Sequence, residues 1–161
     1  MASVLYQVGD KVKDLLTAGQ AAAAFTTSIR PVLGFEVRLK LEDSGLLHVD
    51  VVPVKAVLRV ARGNIATWET EVDIGVRYGY TASDLDSVSG LIKAASISPY
   101  LLLVEEITEY LARRANRTLA TVNAGWRGGE VLLNYAPEHL SKHQFTGVSR
   151  HRYDVEVSIA S

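Results

Sequence analysis

From Phe145 to Ile159 the chain holds a strict alternation. Phe145, Gly147, Ser149, His151, Tyr153, Val155, Val157 and Ile159 fall on one side of a period-two pattern, and Thr146, Val148, Arg150, Arg152, Asp154, Glu156 and Ser158 on the other. Extended backbone puts successive side chains on opposite faces, so this segment is predicted as a long strand with one face packed and one face wet. Strands usually run roughly 3 to 10 residues; one this long extends past the sheet that anchors it or bends within it. A charged face on such a ribbon suits a protein that builds surfaces with neighbours better than one that catalyses.

The same reading places the other elements. Ser3 caps a first helix whose apolar positions are Val4, Leu5, Val8, Val12, Leu15 and Leu16, with Gly19 or the Ala21–Ala24 run as its end. After Pro31 and Gly34, Phe35, Val37, Leu39 and Leu41 alternate with Glu36, Arg38, Lys40 and Glu42. Asp43-Ser44-Gly45 then turns into a returning strand that Pro53 ends. Val54 to Ile65 reads as an irregular loop or short bulged edge, and Thr67 to Tyr80 as a strand with Val72, Ile74, Val76 and Tyr78 on one face. Leu85 to Ile97 is weakly helical. Ser98 as cap and Pro99 at the first helical position open the strongest helix, with Leu102, Leu103, Ile107, Tyr110 and Leu111 as its stripe. Gly125 to Gly129 reads as a hairpin tip between two short strands. Antiparallel strands with two main helices on one face predict a single α+β domain over residues 1–161, a mostly antiparallel, sandwich-like sheet.

Composition narrows function by exclusion. Hydrophobic residues make up 48% and charged residues 22% of the 161, near the values of an ordinary globular protein. Seventeen basic and eighteen acidic side chains nearly cancel, so no global field recruits nucleic acid or an acidic membrane. The chain has no cysteine, which removes disulfides, thiolate zinc sites and cysteine nucleophiles together. No leader pattern opens it, and no stretch nears the roughly 20 apolar residues of a membrane span.

Reactive chemistry finds little support. No dinucleotide fingerprint, phosphate loop, nucleophile elbow or HExxH is present. His139 and His143 stand four apart, a metal-ligating spacing on a helix, but the segment between Pro137 and Phe145 is barely long enough to form one. Asp84 and Asp86 lack the further oxygen ligands of a calcium loop. The only polar cluster that could serve a small enzyme is His48, Asp50 and Tyr110, beside a pocket between the main helix and the sheet. Three basic groupings stand out: Arg59 with Arg62, Arg113 with Arg114 and Arg117, and Arg150 with His151 and Arg152.

Several stretches together resemble a family of small tailed-bacteriophage proteins of head and tail morphogenesis. They are an N-terminal helix, Val51-Val52-Pro53, the loop with Arg59 and Arg62, Glu71-Val72-Asp73-Ile74-Gly75-Val76, the helix from Leu103 to Arg114, Tyr135-Ala136-Pro137-Glu138-His139-Leu140, and Gln144-Phe145-Thr146-Gly147-Val148. The chain departs from the pattern by extra sequence around Ser87 to Ser98 and a longer connection near Asn123 to Gly129. The resemblance implies a tail terminator: a virion structural protein of the head–tail junction, without catalytic residues or cofactor. It would form a homo-oligomeric ring, typically a hexamer, between the tail tube protein and the head–tail connector or stopper, with DNA passing through the lumen. A head-completion or stopper protein and a tube-like component share that architecture and stay open, as do an accessory domain of a non-viral complex and a small enzyme. A ring subunit needs two complementary, non-identical surfaces; Arg38, Lys40, Arg59, Arg62, Arg150 and Arg152 are the residues expected at them.

Overall fold

Ser3 accepts a hydrogen bond from the Tyr6 backbone N–H at 3.0 Å and so starts the first helix, α1 (Val4–Ala21), as its sequence position foretold. The structure, a computed structural model, describes residues 3–34, 47–133 and 144–159. The predicted strand Phe35–Glu42, with Arg38 and Lys40, the Asp43-Ser44-Gly45 turn, and His139 and His143 lie outside the described residues.

Among the described residues six strands form one sheet: β1 (Pro31–Leu33), β2 (Leu47–Arg62), β3 (Ile65–Gly79), β4 (Thr118–Leu119), β5 (Ala124–Leu133) and β6 (Gln144–Ser158), in the order β1-β2-β3-β6-β5-β4. Every pairing is antiparallel except that of β1 with β2. The second long helix, α2 (Ala94–Ala112), and α1 lie on the same face, so the α+β class is the one the alternation indicated. Val8, Val12 and Leu16 of α1 and Leu103, Val104, Ile107 and Leu111 of α2 pack with Val49, Val51, Val72, Ile74, Val76, Tyr153 and Val155 of the sheet. These are the period-3.6 and period-2 apolar positions, and their burial is the main source of stability.

Four local expectations are corrected. Val54–Arg62 is strand, the outer half of β2, and it pairs with β3 up to the Gly63-Asn64 turn. A bulge between Pro53 and Lys55 hid it, because one extra residue reverses which parity faces the helices. Gly63 takes φ +57° there, the left-handed geometry that primed hairpin turns require. Gly125–Gly129 is not a tip but lies within β5; the chain reverses before it, through a 3-10 turn at Ala120–Val122 and Asn123 at φ 52°. Leu85–Ile97 is not a weak helix: Leu85 bridges Ile92, and α2 then begins at Ala94 rather than at Pro99. Pro99 therefore sits inside α2, where its missing N–H leaves only the Ala95 carbonyl without a helical donor. Finally, the inner part of the helix-free face is not wet: Asp50, Asp73, Arg77 and Thr146 are all buried there.

Candidate functional site: the charged open face of the sheet

Antiparallel pairing puts partners on the same face, so the register fixes what meets on the side away from the helices. One row across the sheet holds Lys55, Glu71, Arg152 and Gly128; the next holds Val52, Asp73, Arg150 and Glu130; a third holds Val57, Glu69, Asp154 and Gly125. Arg127 joins them because it is the extra residue of a bulge between Trp126 and Gly128. Of these residues Lys55, Val57, Glu69, Glu71, Arg127, Arg152 and Asp154 line a shallow concavity of about 460 Å³, with the Asp73, Arg150 and Glu130 row beside it.

Most of the charges on this face are already matched. Arg150 makes a two-pronged contact with Asp73, Nε to Oδ1 at 2.8 Å and an Nη to Oδ2 at 2.9 Å, and its Nε lies 3.3 Å from Glu71. Arg152 reaches Glu71 at 3.8 Å and Glu130 at 3.5 Å. Arg59 donates to Glu69 at 2.7 Å, and Arg127 to Asp154 at 2.7 Å. The Glu69 carboxylate beside Arg59 holds that guanidinium's pKa above its ordinary value. Lys55 is the exception, with no ion pair among the described residues. The Asp73–Arg150 pair is the strong member: the Asp73 side chain is only 4% exposed and the fork geometry is that of the tightest carboxylate–guanidinium contacts. The exposed pairs contribute little, because water and salt screen them.

Of the basic residues singled out by the sequence, Arg59, Arg150 and Arg152 share this face, while Arg62 stands at the hairpin end of β2. Arg150, His151 and Arg152 do not act as a cluster, because the strand sends His151 to the helix side. Arg113 and Arg117 serve the end of α2: Arg117 donates to the Ala112 carbonyl at 2.7 Å, and Arg113 stacks over Tyr110. His48 and Asp50 lie on the open face, whereas Tyr110 lies in the helix-side core, so that enzyme constellation is not brought together.

The helix side carries a polar chain that sequence reading missed as a unit. Trp126 Nε1–H can only donate, and it points at His151 Nδ1 at 2.9 Å. The imidazole proton therefore sits on Nε2, which donates to Ser149 Oγ at 2.6 Å. Ser149 in turn donates to Thr108 Oγ1 at 2.6 Å, and Thr108 to the Val104 carbonyl at 2.8 Å. Each donor is used once, in one direction. A serine against a histidine has the outline of a nucleophile and its base, but both are fully buried and the serine proton is spoken for. The chain instead fastens α2 to β5 and β6. Burial lowers the His151 pKa to about 4. Gly129 completes the arrangement: a Cβ there would stand 2.8 Å from the imidazole. The signal was present in the parity of the last strand, which put Ser149 and His151 on the packed face.

Among the described residues no three His, Cys, Asp or Glu side chains are placed to hold a metal, and no helix is long and apolar enough to cross a membrane. Comparison with known protein families found no family that matches the chain, and comparison with characterised proteins found no match either.

Proposed function

We propose that this chain is a ring-forming structural subunit of a tailed-bacteriophage neck, a tail terminator that caps the tail tube and meets the head connector, and that it works by shape rather than by chemistry. The observation that carries the reading is a sheet that, among the described residues, is left open at both edges in a self-complementary way. β1 covers only Val49–Val51 of β2, and β4 covers only Ala124 and Gly125 of β5. Among the described residues no strand pairs with Val54–Arg62 on one side or with Gly128–Leu133 on the other.

Open edges are templates for another strand, and here they fit each other. β2, β3, β6 and β5 alternate in direction, so β5 of one copy and β2 of the next meet antiparallel when the sheet continues. Leu58 and Val60 flank one edge on the helix side, and Val131 and Leu133 flank the other on that same side. On the charged side Lys55 and Arg59 would approach Glu130. Such a contact joins two different surfaces, so repetition closes into a ring when the rotation closes. The matched charges of the open face also suit a lumen wall: arginines already held by carboxylates offer passing phosphates no tight grip.

Light scattering on size-exclusion eluates, with electron micrographs of the same fractions, tests the proposal. The expected result is a single annular species that stops tube growth when added to polymerising tail tube protein. Stacked tubes of this chain alone would make it a tube component, and a monomer at every concentration would sink the ring.

A further inference from the structure

Two strand edges that meet antiparallel can slide past each other, and the side chains of β2 and β5 distinguish the possible registers. A slip by one residue would carry the apolar positions to the charged side. Between the bulges at Pro53/Lys55 and Val60/Arg62, Glu130 can therefore stand opposite Lys55, Val57 or Arg59, the open-face residues of that stretch. Opposite Lys55, the ladder would run into Pro53, which has no N–H to give. It would then meet Val51, which β1 covers and whose carbonyl already accepts from the Gly34 N–H at 2.9 Å. Opposite Val57, Glu130 would face an apolar side chain while Leu132 faced the Lys55 ammonium. Opposite Arg59, like meets like: Leu132 faces Val57 on the charged side, and Val131 faces Leu58 on the helix side. Cross-strand pairs of matched kind are what stabilise a sheet.

Arg59 and Glu130 both have capacity for this contact. Among the described residues Arg59 gives its Nε–H to Glu69 at 2.7 Å, with 68% of the side chain exposed. The N–H groups on its two Nη atoms leave room for a second carboxylate. Glu130 is 45% exposed and holds Arg152 only at 3.5 Å. Ring closure supplies a separate argument. Glu130 lies in the row of Val52, six rows from Arg59. In this register each copy is offset from the last by roughly 20 Å along the strands and roughly 19 Å across its four strands. A planar ring then needs strands inclined at about 45° to its axis, close to the roughly 35–45° at which closed sheets settle. The Lys55 register, offset by two rows, would hold them at about 20°.

We infer that β5 of one copy joins β2 of the next with Glu130 opposite Arg59, Val131 opposite Leu58 and Leu132 opposite Val57. The inference rests on the ring reading and fixes how its edges mate. The chain has no cysteine, so introduced thiols report the register without background. Two double variants of the full chain, Leu58→Cys with Val131→Cys and Val57→Cys with Leu132→Cys, place thiols in consecutive pairs. One of these is a non-hydrogen-bonded pair, with Cα atoms about 4.5 Å apart and within disulfide reach. Mild oxidation of the assembled protein should link at least one variant into a ladder on non-reducing gels. Ala56→Cys with Val131→Cys and Lys55→Cys with Leu132→Cys, slipped by two residues, should stay unlinked. As a second readout, Arg59→Glu or Glu130→Arg alone should raise the dissociation constant about tenfold, and the two together should restore it. Links through the slipped pairs alone, or through no pair in a protein whose wild type forms rings, would overturn the register and leave the ring standing. A wild type that stays monomeric would remove both.

Discussion

Consecutive residues of β6 serve two opposed environments. Ser149, His151 and Tyr153 face the helices and are fully buried, and the polar groups of the first two are satisfied by a neutral, one-directional chain of hydrogen bonds. Arg150, Arg152 and Asp154 face the other way and are satisfied by charge pairing in and beside a shallow concavity. The helix side therefore has strength without adaptability, since a misplaced proton there has no water to turn to. The open side has the reverse property, because an exposed ion pair is worth little and can be exchanged for another. On this view the helix side sets stability and the open side sets what the molecule can meet.

The largest expected effect lies in acid on the helix side. His151 must be neutral to accept from Trp126, and burial holds its folded pKa at about 4 against 6.5 for the free side chain. The unfolded chain therefore takes up the proton first. The stabilisation is complete above pH 6.5 and is lost as pH falls toward 4, by roughly 3 kcal/mol for this displacement. Urea midpoints measured across that window should fall more steeply for the wild type than for His151→Leu, whose pH dependence lacks this group. Equal slopes would show that the imidazole is not held as described.

Next in size is the one open-face pair that behaves like a core contact. Asp73→Ala leaves the Arg150 guanidinium, 22% exposed, without its two-pronged partner and with Glu71 at 3.3 Å. A loss of about 3 kcal/mol is expected in equilibrium unfolding, the low end for breaking a buried pair. Loss of less than about 1 kcal/mol would place Asp73 among the exchangeable surface pairs and erase the distinction between the inner and outer parts of that face.

How much of this could be read from the residues depends on whether a period survived. The last strand and Thr67–Tyr80 kept their alternation, so both strands and the helix-side position of His151 were legible. In β2 the bulge after Pro53 moves the helix-facing set from Leu47, Val49 and Val51 to Ala56, Leu58 and Val60, and a sum over both halves shows no period at all. The glycines of β5 misled for a different reason. Gly129 is small because the His151 ring occupies its Cβ space, a tertiary cause that looks like a turn in one dimension. Ser98-Pro99 imitated a helix start, while the actual start is fixed from outside the helix, by Asp84 and Lys93. The charged site was half legible: Arg59, Arg150 and Arg152 were named, but their carboxylates come from two other strands, β3 and β5, and only register brings them together.

A third effect is of opposite sign. The Tyr153 hydroxyl is buried with no hydrogen-bond partner among the described residues, and burial raises its pKa. Tyr153→Phe removes a group that lost its water on folding and gained nothing, so the midpoint of thermal unfolding should rise, with a gain of about 1 kcal/mol. A decrease would mean that the hydroxyl does more within the helix-side layer than its geometry indicates.

The smallest expected effect bears most directly on assembly. Arg152 lies in the middle of the open face, paired with Glu71 and Glu130, while Arg59 lies on the outer half of β2, whose far edge no strand pairs among the described residues. Alanine at either position should leave the unfolding free energy nearly unchanged, because both pairs are exposed and screened by water and salt. Their consequences for association should nevertheless differ. Arg59→Ala removes a cation from the β2 edge and should raise the dissociation constant of the assembly. Arg152→Ala sits in the proposed lumen wall and should leave it unchanged, while exposing two carboxylates to whatever passes. If Arg152→Ala instead broke the assembly and Arg59→Ala did not, copies would be meeting through the concave face, and the sheet edges would be free.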